Sequence, residues 1–235
     1  MLLEVKNLNA GYGYLQILRD VSLNIDKGEY VCIVGPNGAG KSTTMKTIAG
    51  LLSPMGGTVM FNGEDITGLP ASVIAKKGIA FVSEEMNLFV NMSVQENLYM
   101  GAYTIKEKKV QNERLEFVYD LFPRLAERKK QLAGTMSGGE RKMLAIGRGM
   151  MSDPSLMLVD EPSFGLAPQL TNNVFQSLDV LIENGVTILL VEQNVTKTLS
   201  VTGRGYVLEN GKIGLEGKSD DLADDSYVRK VFLGV

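Results

Sequence analysis

Gly35-Pro36-Asn37-Gly38-Ala39-Gly40-Lys41-Ser42 matches GxxxxGK[ST] at every fixed position, directly after the apolar run Tyr30 to Val34. Glycines in such a loop let backbone N–H groups wrap closely around phosphate oxygens, and a helix beginning at Thr43 would add its positive end. Lys41 would reach the β and γ phosphates of a nucleotide such as ATP, and Ser42 would offer its hydroxyl to Mg²⁺. A second apolar run, Leu156 to Val159, ends in Asp160 and Glu161. At the carboxyl end of a strand the two acids would face the same crevice, Asp160 orienting the metal and Glu161 polarising or deprotonating an attacking water. The chemistry these residues can perform together is metal-assisted transfer of a phosphoryl group to water.

The rest of the composition narrows the field. There is no histidine, which excludes Ser-His-Asp and Cys-His catalysis and the HExxH zinc motif. The single cysteine, Cys32, lies in an apolar run and reads as a buried filler; one cysteine makes neither an internal disulfide nor a thiolate metal cage. With 24 basic and 27 acidic residues the net charge is −3, which offers no broad electrostatic footprint for nucleic acid. The 235 residues, 44% hydrophobic and 22% charged, suit an ordinary globular core. No apolar run approaches the roughly 20 residues that a spanning helix needs. The start, Met1-Leu2-Leu3-Glu4-Val5-Lys6, has an acid where a secretory segment has its basic flank, so the chain is expected to stay in the compartment where it is made.

The elements that must hold the cradle can be read in outline. Val21, Leu23 and Ile25 alternate with polar residues and turn through Asp26-Lys27-Gly28 into the strand Tyr30 to Val34, and a helical run is expected over Thr43 to Leu52. Thr58 to Phe61 precedes Asn62-Gly63, and Glu209-Asn210-Gly211-Lys212 gives a second hairpin signal. Ile79 to Val82 is a further strand. Between about Val94 and Lys130 the spacing becomes helical, as at Leu115, Val118, Tyr119 and Phe122. A helix-like run over Glu140 to Met151, the strand Leu156 to Val159, a helix around Leu170 to Glu183 and the strand Val186 to Val191 follow. Continuous apolar strands alternating with helices predict a parallel sheet covered on both faces.

Met136-Ser137-Gly138-Gly139-Glu140, ahead of a helix and upstream of Asp160, resembles the LSGGQ signature of the ABC-transporter ATPases, and the match runs through essentially the whole chain. The resemblance implies an α/β fold: a P-loop NTPase core with a mostly parallel sheet, an antiparallel β-subdomain and an inserted helical subdomain. One ATPase domain, 1–235, would comprise core and β-subdomain at 1–83 and 152–235 and helical subdomain at 84–151. The signature of one subunit would close over the ATP held by another, with Ser137, Gly138, Gly139 and Glu140 forming an anion site unsatisfied until that ATP arrives. Ser137 can equally be read as a plain helix cap. Tyr12 resembles the aromatic that stacks on adenine, with Tyr14 as a competitor. Glu84 takes the place where the family usually has a metal-contacting Gln, Gln193 that of the usual γ-phosphate-contacting His, and Ala167 that of an intersubunit Asp. Gln193 can donate a hydrogen bond but cannot carry a proton, which puts the weight of base catalysis on Glu161.

The combination of Tyr12-Gly13, Glu84, MSGGE, EPSFGLAP, VEQN and Tyr206-Val207-Leu208-Glu209-Asn210-Gly211 resembles one of the two ATPase subunits of bacterial branched-chain amino-acid importers. It implies work on the cytoplasmic face of the membrane with permease subunits, a second ATPase subunit, equal or different, and indirectly an external solute-binding protein, on branched-chain amino acids or related amide cargo. The permease is expected to dock near Met86, Leu88, Phe89 and Met92 if they are exposed; the other reading of these apolar residues is that they belong to the core. Two other readings stay open: a soluble ABC ATPase acting on nucleic acid or ribosomes, and a nucleotide sensor without turnover, suggested by Glu84, Gln193 and Ala167.

Overall fold

The short apolar runs are continuous because each strand they form is packed on both faces. The structure is a computed structural model and describes residues 1–233. β1 (Leu3–Tyr12) and β2 (Leu15–Ile25) form an antiparallel pair, β3 (Tyr30–Val34) leads through the glycine loop into α1 (Lys41–Ile48), and β4 (Pro54–Phe61) turns into β5 (Glu64–Asp65). Next come α2 (Ala71–Lys76), β6 (Ile79–Val82) and three helices, α3 (Val94–Gly101), α4 (Lys108–Leu121) and α5 (Pro123–Glu127). The remainder is α6 (Gly138–Met150), β7 (Leu156–Asp160), α7 (Pro168–Glu183), β8 (Thr187–Val191), α8 (Val195–Val201), β9 (Arg204–Glu209), β10 (Lys212–Lys218) and α9 (Ser219–Asp224), followed by short turns.

Two sheets result. One is antiparallel in the order β2-β1-β4-β5; the other runs β10-β9-β3-β8-β7-β6 and is parallel throughout except for β10 at its edge. Cys32, Val34, Met157, Val159, Ile188 and Leu190 face a core shared with the helical layer, α6 and α7. Their neighbours Val31, Ile33, Leu156, Leu158, Leu189 and Val191 face a second core between the sheets, closed by Met45 and Ile48 of α1. The two-sided burial accounts for the unbroken hydrophobicity that the sequence shows.

Several boundaries differ from those expected. The helix after the cradle stops at Ile48 rather than Leu52, because Gly50 adopts φ +72°, where an added Cβ would lie 2.3 Å from the Leu69 carbonyl oxygen. α6 begins at Gly138 rather than Glu140, and Asp160 belongs to β7 itself. The long β1 was not anticipated: Asn7 at φ 46° and a register shift between Val5 and Leu8 break the period-2 pattern by which strands are recognised. Both Asn-Gly pairs form turns with positive φ at each residue, Asn62 50° and Gly63 78°, Asn210 49° and Gly211 79°.

Candidate functional site

The cradle is assembled by close packing of backbone on the glycine loop. A Cβ on Gly35 would sit 2.1 Å from the Leu208 carbonyl oxygen, and one on Gly40, at φ +108°, would meet Leu18 Cδ2 at 2.6 Å. Gly40 is also the N-cap of α1 and supplies no capping side chain, which leaves the first N–H groups of α1 for an anion. Lys41 is buried, and its Nζ donates to the Gly35 and Pro36 carbonyls at 2.8 and 3.2 Å. Burial lowers its pKa, opposed by the charges of Glu161, Asp160 and Glu192. A cavity of about 300 Å³ opens here, lined by Tyr12, Ile17, Asn37, Gly38, Gly40, Lys41, Ser42, Thr43, Glu84, Glu161 and Gln193.

The acids sit on the far wall. Ser42 Oγ donates to Asp160 Oδ1 at 3.0 Å. Burial pushes the Asp160 carboxyl up to about 6, against the Ser42 hydrogen bond, with Glu161 and Glu84 adding to the rise. Glu161 follows β7 in the left-handed region at φ 46°, its N–H donating to the Val191 carbonyl of β8 at 2.8 Å. Gln193 Nε2 donates to Glu161 Oε2 at 2.6 Å. Burial raises the Glu161 pKa, while the Gln193 bond and Lys41 oppose the rise. Glu192 is buried and accepts from the N–H groups of Ser163 and Gln193 at 2.7 and 3.1 Å.

Among the described residues no group of three or more His, Cys, Asp or Glu is arranged to hold a metal by itself. Four carboxylates, Asp160, Glu161, Glu84 and Glu192, gather here against the buried ammoniums of Lys41 and Lys142, with Lys46 also acting on Asp160. An oxygen-only site with excess negative charge and few protein ligands suits a hard divalent cation whose shell is completed by substrate phosphates.

The sequence-singled residues fall into two groups. Those of the cradle meet Glu84, Glu161 and Gln193 at one cavity, which Asp160 joins only through its bond from Ser42; Gly35 and Ala39 lie buried in the loop and Pro36 is exposed. Tyr12 lines the cavity, whereas Tyr14 is fully exposed and is not among its lining residues. Ser137, Gly138, Gly139 and Glu140 line no part of it and form the first turn of α6. The helix-cap reading of Ser137 holds here, and it fills part of the expected anion site. Ser137 donates to Glu140 Oε2 through both Oγ (2.9 Å) and N–H (3.0 Å), its Oγ accepts from the Glu140 N–H, and Arg128 Nε lies 3.2 Å from Glu140 Oε1. Only the N–H groups of Gly138 and Gly139 are left for an incoming anion.

Three residues escaped the sequence reading: Glu192, Lys142 and Arg148. Lys142 Nζ donates to the carbonyls of Glu84 (2.9 Å) and Glu161 (3.1 Å), and Arg148 to those of Met86 (2.8 Å) and Asn87 (2.7 Å). A signal existed for Lys142, which shares the buried stripe of α6 with Gly139, Met143, Ile146 and Met150. A cation at a core position implies a partner. The expected docking loop is also modified: of Met86, Leu88, Phe89 and Met92 only Phe89 is exposed, while Met86 and Leu88 pack on the core. Phe89, Phe81, Met100 and Tyr103 instead line an apolar groove of about 440 Å³, with Arg148 5.8 Å from the Phe89 ring centroid.

A strand, glycine loop and helix beside a parallel strand ending in paired acids define a P-loop ATPase. The ABC transporter family model matches residues 18–164, and the chain belongs to this family as one of its ATP-hydrolysing members. It is 44% identical over 233 residues, 99% of this chain and 100% of the relative, to the high-affinity branched-chain amino acid transport ATP-binding protein BraG of Pseudomonas aeruginosa. The probable branched-chain amino acid transport ATP-binding protein LivF of Archaeoglobus fulgidus is 38% identical, with 100% of this chain and 99% of that protein covered. The crystal structure of the ADP conformation of MJ1267, an ATP-binding cassette of an ABC transporter, superposes with a TM-score of 0.84 at 29% identity over 100% of this chain and 99% of that one.

Proposed function

We propose that the chain is the ATP-hydrolysing subunit of an importer for branched-chain amino acids or related amide cargo, working as one domain. The chemistry rests on one observation: Ser42, bonded to Asp160 behind it, and Glu161, bonded to Gln193, face the same cavity as the Lys41 cradle. The cargo class rests on the similarity to BraG and LivF. Tyr12 stacks on the adenine, residues Gly35 to Thr43 hold the phosphates, and Lys41 leaves its carbonyl partners for the β and γ oxygens. Ser42, Asp160 and Glu84 would hold Mg²⁺, which would supply neutralisation of the phosphate charge. Glu161 takes the proton of the attacking water, and its hydrogen bond from Gln193 aims the carboxylate.

Ser137 to Glu140 close over the nucleotide of a second ATPase subunit, equal or different. No helix among the described residues is long and apolar enough to cross a membrane. In this reading permease subunits seat a helix of theirs in the Phe89 groove on the cytoplasmic face, and the external binding protein acts indirectly. Mg²⁺-dependent ATP hydrolysis, measured over a range of protein concentrations with Lys41→Ala as control, tests the reading. A rate per subunit that rises with concentration and vanishes in Lys41→Ala supports composite sites. ATP binding without turnover, alone and with permease, defeats it.

A further inference from the structure

Lys142 is an anomaly in α6. It is 4% exposed in a helix face otherwise made of glycine and apolar residues, where a leucine would serve packing better. No carboxylate lies within ion-pair distance of it among the described residues; its acceptors are the backbone carbonyls of Glu84 and Glu161. These carbonyls belong to two segments far apart in sequence, the loop after β6 and the loop after β7. Both hold non-glycine residues in the left-handed region, Met86 at φ 62°, Asn87 at 45° and Glu161 at 46°. Conformations of this kind persist only where surrounding structure enforces them.

Local bonds such as that from the Glu161 N–H to the Val191 carbonyl hold each loop separately, and one helix grips both. Lys142 holds the Glu84 loop and the Glu161 loop together, and Arg148, about 9 Å further along α6 by helix rise, holds the Glu84 loop again at Met86 and Asn87. The first turn of the same helix is Ser137 to Glu140. A helix this short moves as a unit, so a displacement at its first turn is carried to whatever its side chains grip.

We propose that Lys142 is a positioning residue which ties the backbone of Glu84 to that of Glu161 and makes both follow α6. Occupation of the signature end by a partner's nucleotide is then passed through Lys142 to the acid pair of the signature-bearing chain. The dimer part rests on the function proposed above; the tie itself does not.

The test uses the full chain with Lys142→Met, which keeps bulk and removes the donors, and Lys142→Arg, which keeps reach and donors. If Lys142→Met does not fold, Lys142→Gln, one atom too short to span both carbonyls, replaces it. Hydrogen exchange of the nucleotide-free protein reads the tie directly. Amides in 83–88 and in 161–165 exchange faster together in Lys142→Met and remain near wild type in Lys142→Arg. Loosening of one segment alone, or of neither, overturns the proposal whether or not the protein turns over ATP. In steady-state kinetics Lys142→Met lowers kcat by roughly 100-fold with KM within about twofold, and Lys142→Arg restores most of the rate. Parallel losses in kcat and nucleotide affinity would assign Lys142 to general stability instead. Combining Lys142→Met with Ser137→Ala then gives less than the product of the two single effects; a full product separates the signature from the tie. A wild type that never hydrolyses ATP sinks the proposed function and leaves the exchange result to decide on Lys142.

Discussion

Two helices begin beside glycines to which the proposed function gives a part in binding ATP, and their first turns are finished in opposite ways. α1 starts at Gly40 with no capping side chain and no acidic residue in its first turn. α6 starts at Ser137 with a complete capping box, its first turn carrying the Glu140 carboxylate and the ion pair to Arg128. A helix end without a capping side chain leaves its first N–H groups open to an external anion, whereas one that carries its own carboxylate already has part of that demand met. The cradle is thus built to take phosphate directly, and the signature accepts it only against a resident negative charge. Nucleotide should bind at α1 first and engage α6 of a partner second.

The largest expected difference is in turnover. Glu161→Gln at the cradle removes the base and should lower kcat by about 1,000-fold while leaving nucleotide affinity unchanged. The neutral amide keeps the shape of the side chain and can still meet Gln193. Steady-state hydrolysis beside equilibrium binding of a fluorescent ATP analogue separates the two parameters. A normal rate in this variant would remove Glu161 from its proposed role.

Stability should divide along the same line. Gly40→Ala places a side chain at φ +108° against Leu18 Cδ2 at 2.6 Å, and left-handed strain with overpacking costs about 2–4 kcal/mol. Gly139→Ala sits in an ordinary helical turn and meets the tip of the Leu170 side chain at 2.8 Å. The helix-propensity gain of about 1 kcal/mol offsets the shift of that flexible group, for a net change within about 1 kcal/mol. Urea denaturation midpoints at equal m-value measure both. Equal losses at the two glycines would erase the distinction between a packed cradle and an adaptable signature.

The same contrast explains what the sequence could and could not say. The cradle was legible because its constraints are local: a strand, glycines at fixed positions and a helix, all within residues 30–48. β3, β7 and β8 were recognisable because burial on both faces keeps them almost wholly apolar, with Asp160 at the end of β7 and Thr187 at the start of β8 as the polar exceptions. Ser137-Gly138-Gly139-Glu140 is also the S-x-x-E pattern of a capping box, so the self-satisfied state of the signature was written in the letters that suggested an open anion site. Lys142 and Arg148 lay beyond such reasoning, since their partners are backbone carbonyls about 60 residues away, at Glu84, Met86 and Asn87. β1 was hidden because its irregular register departs from the alternation that a one-dimensional pattern can show.

The smallest effect is the most informative about the signature. Glu140→Gln keeps an oxygen that can accept from Ser137, and it loses only a charge and a partly exposed ion pair to Arg128, with side-chain exposures of 38% and 16%. Such a pair contributes at most about 1 kcal/mol, so folding stability should hardly move. The removed charge, however, is the one an arriving γ-phosphate has to face. At a helix N-terminus a like charge is worth roughly 0.3–1 kcal/mol, so the protein concentration giving half-maximal ATPase rate per subunit should fall by about two- to fivefold. Ser137→Ala should act in the opposite sense, removing a hydroxyl donor together with a cap worth about 1 kcal/mol. If Glu140→Gln instead raises the concentration needed, the carboxylate is helping to order the signature for its partner rather than competing with the phosphate. The order of binding inferred from the two helix ends would then have to be reversed.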